Sequence, residues 1–162
     1  MGELMRVFND ADVLRVEHRL LSTIPLVAHM SLHGISLQEE GLSLSAPLAP
    51  NVNDKGTGFG GALSAIATLS GWSLTSIYAE SIKANGFDVV VHTSELTYLA
   101  PVKADFCALC FYPEEALLEV FLHKLAERGK ASLPLRAEIR SNGEVAVMLS
   151  GRFVAFARAE QV

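Results

Sequence analysis

From Gly56 to Ala79 the chain runs 24 residues without a charged side chain, and this run restricts the available folds more than any other feature. A helix of that length could span a bilayer. Half of the residues are Gly, Ser or Thr, however, and the run opens on Gly56, Thr57, Gly58, Gly60 and Gly61. That composition suits a helix enclosed by protein better than one enclosed by lipid. No membrane span is expected, and the flanking sequence has to supply the enclosure.

The flanks read as strands with two further helices. Asn9 or Asp10 caps a first helix, whose apolar positions are Val13, Leu14, Leu20, Leu21 and Ile24, and Pro25 closes it. "MSLHGISL" and "EGLSLSAPL" alternate apolar and polar residues around Glu39-Glu40-Gly41, a pattern of two strands and a tight turn. Pro47 and Pro50 then lead into the loop "NVNDKGTGFGG". The central helix is predicted from about Gly60 to Lys83, followed by an Asn85-Gly86 turn. "DVVVHTSELTYLAPV" and "DFCALCFY" have strand composition. "PEEALLEVFLHKLAERG" is a helix with Pro113 in its first turn and Gly129 as its stop. "ASLPLRAEIRS" and "EVAVMLSGRFVAFAR" are strands joined by the hairpin signal Asn142-Gly143. Without repeats or linkers, residues 1–162 read as one domain. The expected fold class is α+β, a curved antiparallel sheet wrapped around one long central helix.

The bulk numbers narrow the function. Half of the 162 residues are apolar and 19% are charged, as in a globular chain. A net charge of −5 argues against a nucleic-acid partner. The opening "MGELMRVFNDAD" has no apolar leader core, which makes the cytoplasm the expected location. Cys107 and Cys110 fall three apart on a strand, hence on opposite faces, and read as separate reduced thiols. His29 and His33 have metal-ligand spacing for a helix. Their segment reads as loop and strand, where four residues span roughly 13 Å, so no metal site is expected. Ser64 has no base nearby in sequence, which makes a serine-hydrolase reading weak. Trp72 and Tyr78 read as core.

"APLAPNVNDKGTGFGGALSAIATLSGW", Ala46 to Trp72, resembles the signature of a bacterial thioesterase-like hot-dog family. "STIPL" at Ser22 to Leu26 and "LTYLAPV" at Leu96 to Val102 fit the same family. In it the hot-dog domain stands alone or follows a GNAT-type acetyltransferase domain, and this chain looks like the stand-alone form. The resemblance implies a substrate acyl group carried as a thioester on coenzyme A or acyl carrier protein, through pantetheine and without a further cofactor. It implies a homodimer, with higher homo-oligomers open, and an active site at the subunit interface. Many hot-dog enzymes hydrolyse the thioester, and some members of this family decarboxylate malonyl-acyl carrier protein to the acetyl form.

The residues of the loop bear on that choice. A helix N-terminus leaves backbone N–H groups unpaired and favours negative charge. Gly60 and Gly61 let a ligand come close to them. Asn53 and the Gly61 N–H are therefore the expected oxyanion donors, with Thr68 orienting the substrate. Asn51, Lys55, Phe59, Gly60 and His92 are expected to contact it. In many related thioesterases the loop carries a His where this chain has Phe59, and an acid where it has Thr68. No acid lies between Asp54 and Glu80. Hydrolysis needs an activated water, whereas decarboxylation needs donors for an enolate oxygen and a dry pocket. Decarboxylation is the favoured expectation, hydrolysis the alternative, and non-catalytic acyl-thioester binding a third. His92 and Glu95 alternate to opposite faces, so one chain would not direct both into one pocket; either could come from a partner. Arg136 and Arg140 share a strand face that could meet an acidic carrier.

Overall fold

The computed structural model describes residues 7–159; residues 1–6, part of the segment read for a leader, lie outside the described residues. In chain order the helices are α1 (Asp10–Thr23), α2 (Pro25–Met30), α3 (Gly60–Ile82) and α4 (Glu115–Arg128). The strands are β1 (Ile35–Leu37), β2 (Gly41–Ala46), β3 (Phe87–Tyr98), β4 (Phe106–Phe111), β5 (Lys130–Ser141) and β6 (Glu144–Ala157). They form one antiparallel sheet of six strands in the order β1-β2-β4-β5-β6-β3. The sheet curls around α3, which packs on β2, β3, β4, β5 and β6. This is the hot-dog architecture.

Local chemistry sets the boundaries. Asn9 caps α1 reciprocally with Asp12: the Asp12 N–H donates to Asn9 Oδ1 at 3.1 Å and the Asn9 N–H to Asp12 Oδ2 at 2.8 Å. Asn142 and Gly143 both have positive φ, +50° and +77°, as a two-residue hairpin of this hand requires. The central helix buries Leu63, Ile66, Leu74, Ile77 and Tyr78 against Leu133, Ile139, Leu149 and Phe153 of the sheet. Small residues allow that contact. A Cβ at Gly71 would lie 2.3 Å from Phe153 Cζ, so the ring packs directly on the helix backbone.

Three sequence expectations need correction. Pro25 ends α1 but also begins α2, because the first helical position tolerates a missing N–H. His29 is therefore helical, and His33 lies in the connection beyond Ser31. Pro113 precedes α4, whose cap is Glu114. The β3–β6 register shifts between Val91 and Thr93, so simple alternation does not carry from His92 to Glu95.

The two sheet edges differ. The β1 edge is three residues long, and its Ile35 N–H donates to the Glu17 carboxylate at 2.5 Å. The β3 edge is twelve residues long and pairs only with β6, with Val90, Val91 and Tyr98 exposed along it.

One ionic cluster ties α1 to the end of α3. The Glu80 carboxylate, 4% exposed, accepts from Arg15 Nε at 2.9 Å, Arg19 Nη2 at 2.5 Å and the Asn85 N–H at 2.9 Å. Arg15 also pairs with buried Asp12. Burial alone would raise the Glu80 carboxyl, but the Asn85 N–H and the Arg19 and Arg15 guanidinium groups outweigh it and hold it below the usual carboxylate value.

Removing one member of such a buried group leaves the others uncompensated. Glu80→Gln is expected to cost about 3–5 kcal/mol, read as a lower urea midpoint. The folded carboxyl titrates below its unfolded counterpart, so its stabilisation is complete above the unfolded value near ~4.3. That stabilisation disappears as pH falls through the folded value, and this part of the acid limb should be missing in Glu80→Gln. Gly71→Ala should cost about 1–3 kcal/mol by overpacking.

Candidate functional site

The loop from Asn51 to Phe59 is held from both sides. The Phe59 N–H donates to the Asn51 carbonyl at 2.7 Å, and the Gly58 N–H donates to the Val102 carbonyl at 2.8 Å. A Cβ at Gly58 would lie 2.9 Å from Val102 Cβ, so this approach needs a glycine.

The two asparagines divide the work. Asn51 is 3% exposed, and its Nδ2 donates to the Met30 carbonyl at 2.9 Å and the Pro47 carbonyl at 2.8 Å. Both amide hydrogens are committed inside the protein. Asn51 therefore supports the loop from beneath, with neither amide hydrogen left over for a ligand. Asn53 is half-buried. Its Oδ1 accepts from the Lys55 N–H at 2.9 Å and the Thr57 N–H at 3.1 Å, and its Nδ2 donates to Thr57 Oγ1 at 2.9 Å. One Nδ2 hydrogen is left for a ligand. Lys55 is exposed and pairs with exposed Asp54 at 2.8 Å, a contact worth no more than about 1 kcal/mol.

The helix start is uncapped. Phe59 occupies the cap position and has no side-chain acceptor to offer. The first bond into the helix runs from the Leu63 N–H to the Phe59 carbonyl at 2.9 Å. Among the described residues, no group accepts from the N–H of Gly60, Gly61 or Ala62. Two half-exposed rings flank this point. Tyr98 donates its hydroxyl to the Gly60 carbonyl at 3.0 Å, and a Cβ on Gly61 would lie 2.6 Å from the Phe59 ring. The Phe59 ring thus stands over Gly61. Tyr98 was not anticipated as part of the site; its position at the end of a long strand next to "LAPV" was the available signal.

Gly61, Ser64 and Thr68 follow helical spacing along one partly exposed stripe of α3. Ser64 Oγ donates back to the Gly61 carbonyl at 2.9 Å. Thr68 is half-buried, and its hydroxyl makes no hydrogen bond among the described residues, so it is free for a ligand. His92 is exposed on the open β3 edge, as is Glu95. Arg140 is engaged with Glu138 at 3.0 Å and lies over the Phe111 ring. Cys110 is fully buried and Cys107 partly so; burial pushes the Cys110 thiol up, away from the thiolate. Among the described residues no three His, Cys, Asp or Glu side chains converge as a metal site would require, and no helix is long and apolar enough to cross a membrane.

Comparison with known proteins identifies the family and the fold. The family described as "Putative thioesterase (yiiD_Cterm)" matches residues 13–157. A Shewanella oneidensis protein described as a "putative thioesterase" is 30% identical, with a TM-score of 0.78 over 91% of this chain and 99% of that one. A Chlorobaculum tepidum protein of unknown function is 26% identical, with a TM-score of 0.85 over 94% and 98% of the two chains. A Pseudomonas aeruginosa protein described as a "Probable Thioesterase" is 24% identical at a TM-score of 0.71, covering 88% and 94%, and shares the fold. Among curated proteins, none matches.

The division between the asparagines is testable by stability. Asn51→Ala strands the buried Met30 carbonyl and the part-buried Pro47 carbonyl and should cost about 2–4 kcal/mol in urea unfolding, while Asn53→Ala should cost less than half as much.

Proposed function

The chain belongs to the YiiD_C family, and from that premise we propose that it is an acyl-thioester enzyme that decarboxylates a malonyl group carried on acyl carrier protein. One observation carries the reading: the open start of α3 offers three N–H groups without acceptors, and no acid or imidazole lies along α3 before Glu80.

Decarboxylation breaks the bond between the carboxylate carbon and the α-carbon of the malonyl group. CO₂ leaves, and the electron pair passes into the thioester carbonyl as an enolate. A proton from solvent on the α-carbon then gives the acetyl thioester. The only charge the protein must stabilise is on the thioester oxygen. The Gly61 N–H, with Gly60 and Ala62 beside it, supplies preorganised donors worth about 3–4 kcal/mol each in a dry site. The remaining Nδ2 hydrogen of Asn53 adds one more. Thr68 holds the departing carboxylate out of the carbonyl plane, and the Phe59 ring limits water. Lys55, half a loop away, suits a phosphate of the pantetheine arm or an acid on the carrier.

The only carboxylate on α3 is unsuited to the chemistry. Glu80 lies about 30 Å along the helix from Gly60 at 1.5 Å per residue, buried among arginines. The open β3 edge supports a homodimer formed by continuing the sheet, because the unpaired outer side of a twelve-residue strand favours another strand. That same edge supports a second reading. A partner strand would bring exposed His92 and Glu95 toward this stripe, and a base there would restore hydrolysis, in keeping with the thioesterase descriptions of relatives.

Purified protein should convert malonyl-acyl carrier protein to acetyl-acyl carrier protein and CO₂. Free carrier and acid would establish hydrolysis instead, and binding without turnover would mark a non-catalytic binder. Asn53→Ala should lower turnover by at least ~100-fold. His92→Ala and Glu95→Gln should leave decarboxylation unchanged; loss of activity in either would favour the hydrolytic reading.

A further inference from the structure

At the opposite end of α3, beside α1, lies an open cleft of about 650 Å³ with a cationic lining. Arg15, Arg19 and Arg158 line it, together with His18, Asn85 and Leu14, and no carboxylate is among the lining residues. The acids that balance these cations hold them from elsewhere. Glu80 and Asp12 are buried beneath Arg15 and Arg19, and Asp88 accepts from Arg158 Nε at 2.8 Å.

Each guanidinium is therefore fixed in orientation with donors to spare. Of the five N–H groups on each, Arg15 and Arg19 spend two and Arg158 spends one. Guanidinium N–H pairs match phosphate oxygens in a bidentate manner, and three of them around one cleft suit a tetrahedral oxyanion. The cleft also exceeds a bare phosphate in size, and Leu14, 63% exposed, offers an apolar contact.

We propose that this cleft binds a phosphate-bearing ligand, at a site separate from the start of α3. A bound phosphate would bridge α1 to the turn after α3 and to the end of β6. Arg158 already joins the latter two, its N–H donating to the Gly86 carbonyl at 3.0 Å. Binding there stabilises the native state, and it does not depend on which reaction the other end performs.

Calorimetric titration with inorganic phosphate and with coenzyme A, at ionic strength fixed with potassium chloride, tests this directly. Saturable binding and a raised thermal midpoint are expected with at least one ligand. Tighter binding of coenzyme A that Arg158→Gln weakens and Asn53→Ala leaves unchanged identifies an organic phosphate ester at this cleft, and equal binding identifies the phosphate group alone. Arg158→Gln and His18→Gln lie outside the Glu80 cluster and should each weaken phosphate binding by at least ~10-fold, the equivalent of about 1.4 kcal/mol. Asn53→Ala should leave phosphate binding unchanged. No saturable binding of either ligand, or an affinity untouched in both the Arg158 and His18 variants, would overturn the proposal.

Discussion

The structure depends on the burial of one uncharged helix inside one sheet. Because α3 is enclosed along most of its length, its sides carry small and apolar residues, and its chemistry is concentrated at its ends. A helix end cannot satisfy its own backbone groups. At the C-terminal end the protein supplies donors, the Lys83 N–H to the Ala79 carbonyl and Ser81 Oγ to the Tyr78 carbonyl, and beside them Glu80 gathers Arg15, Arg19 and the Asn85 N–H. At the N-terminal end it supplies no acceptor among the described residues. Phe59 stands where a Ser or Asp would cap, and the first three N–H groups are left for something else.

That asymmetry has a physical logic. The Glu80 cluster fastens α1 across the end of the helix, and the closed loop from Asn51 to Phe59 fixes the other end. Asn51 bonds downward to Met30 and Pro47, and Gly58 bonds sideways to Val102. The uncapped N–H groups thus sit on a rigid support, as electrostatic catalysis requires: donors that need not reorganise when charge develops. The same argument explains why a site without an obvious base is not an empty one. The Asn53 carboxamide first closes its own turn on Thr57 and Lys55, and only its remaining hydrogen faces outward chemistry.

Much of this fold was legible in the sequence because its signals are local. The Asn9 cap, the Asn142-Gly143 hairpin and the length of α3 follow from short-range chemistry, and the order of elements pointed to a sheet around a helix. What was not legible is long-range or ambiguous. Pro25 is equally suited to ending one helix and starting another, so α2 was hidden. An extra residue in β3 leaves no mark on composition, so the register shift at His92 was unseen. Arg15 and Arg19 lie 65 and 61 residues from Glu80, a distance no periodicity bridges. In the site, the sequence located the loop and the helix start. It could not tell a buried Asn51 from a half-buried Asn53, since that distinction rests on Met30, a residue far upstream.

The central claim is that peptide N–H groups at the start of α3 draw electron density from a thioester carbonyl. Isotope-edited infrared spectroscopy measures that polarisation without requiring turnover. With a ¹³C-labelled malonyl thioester analogue that cannot lose CO₂, the bound carbonyl stretch should move to lower frequency than in water. A bound carbonyl at or above its frequency in water would mean that the helix end does not donate to it, and the account would be wrong.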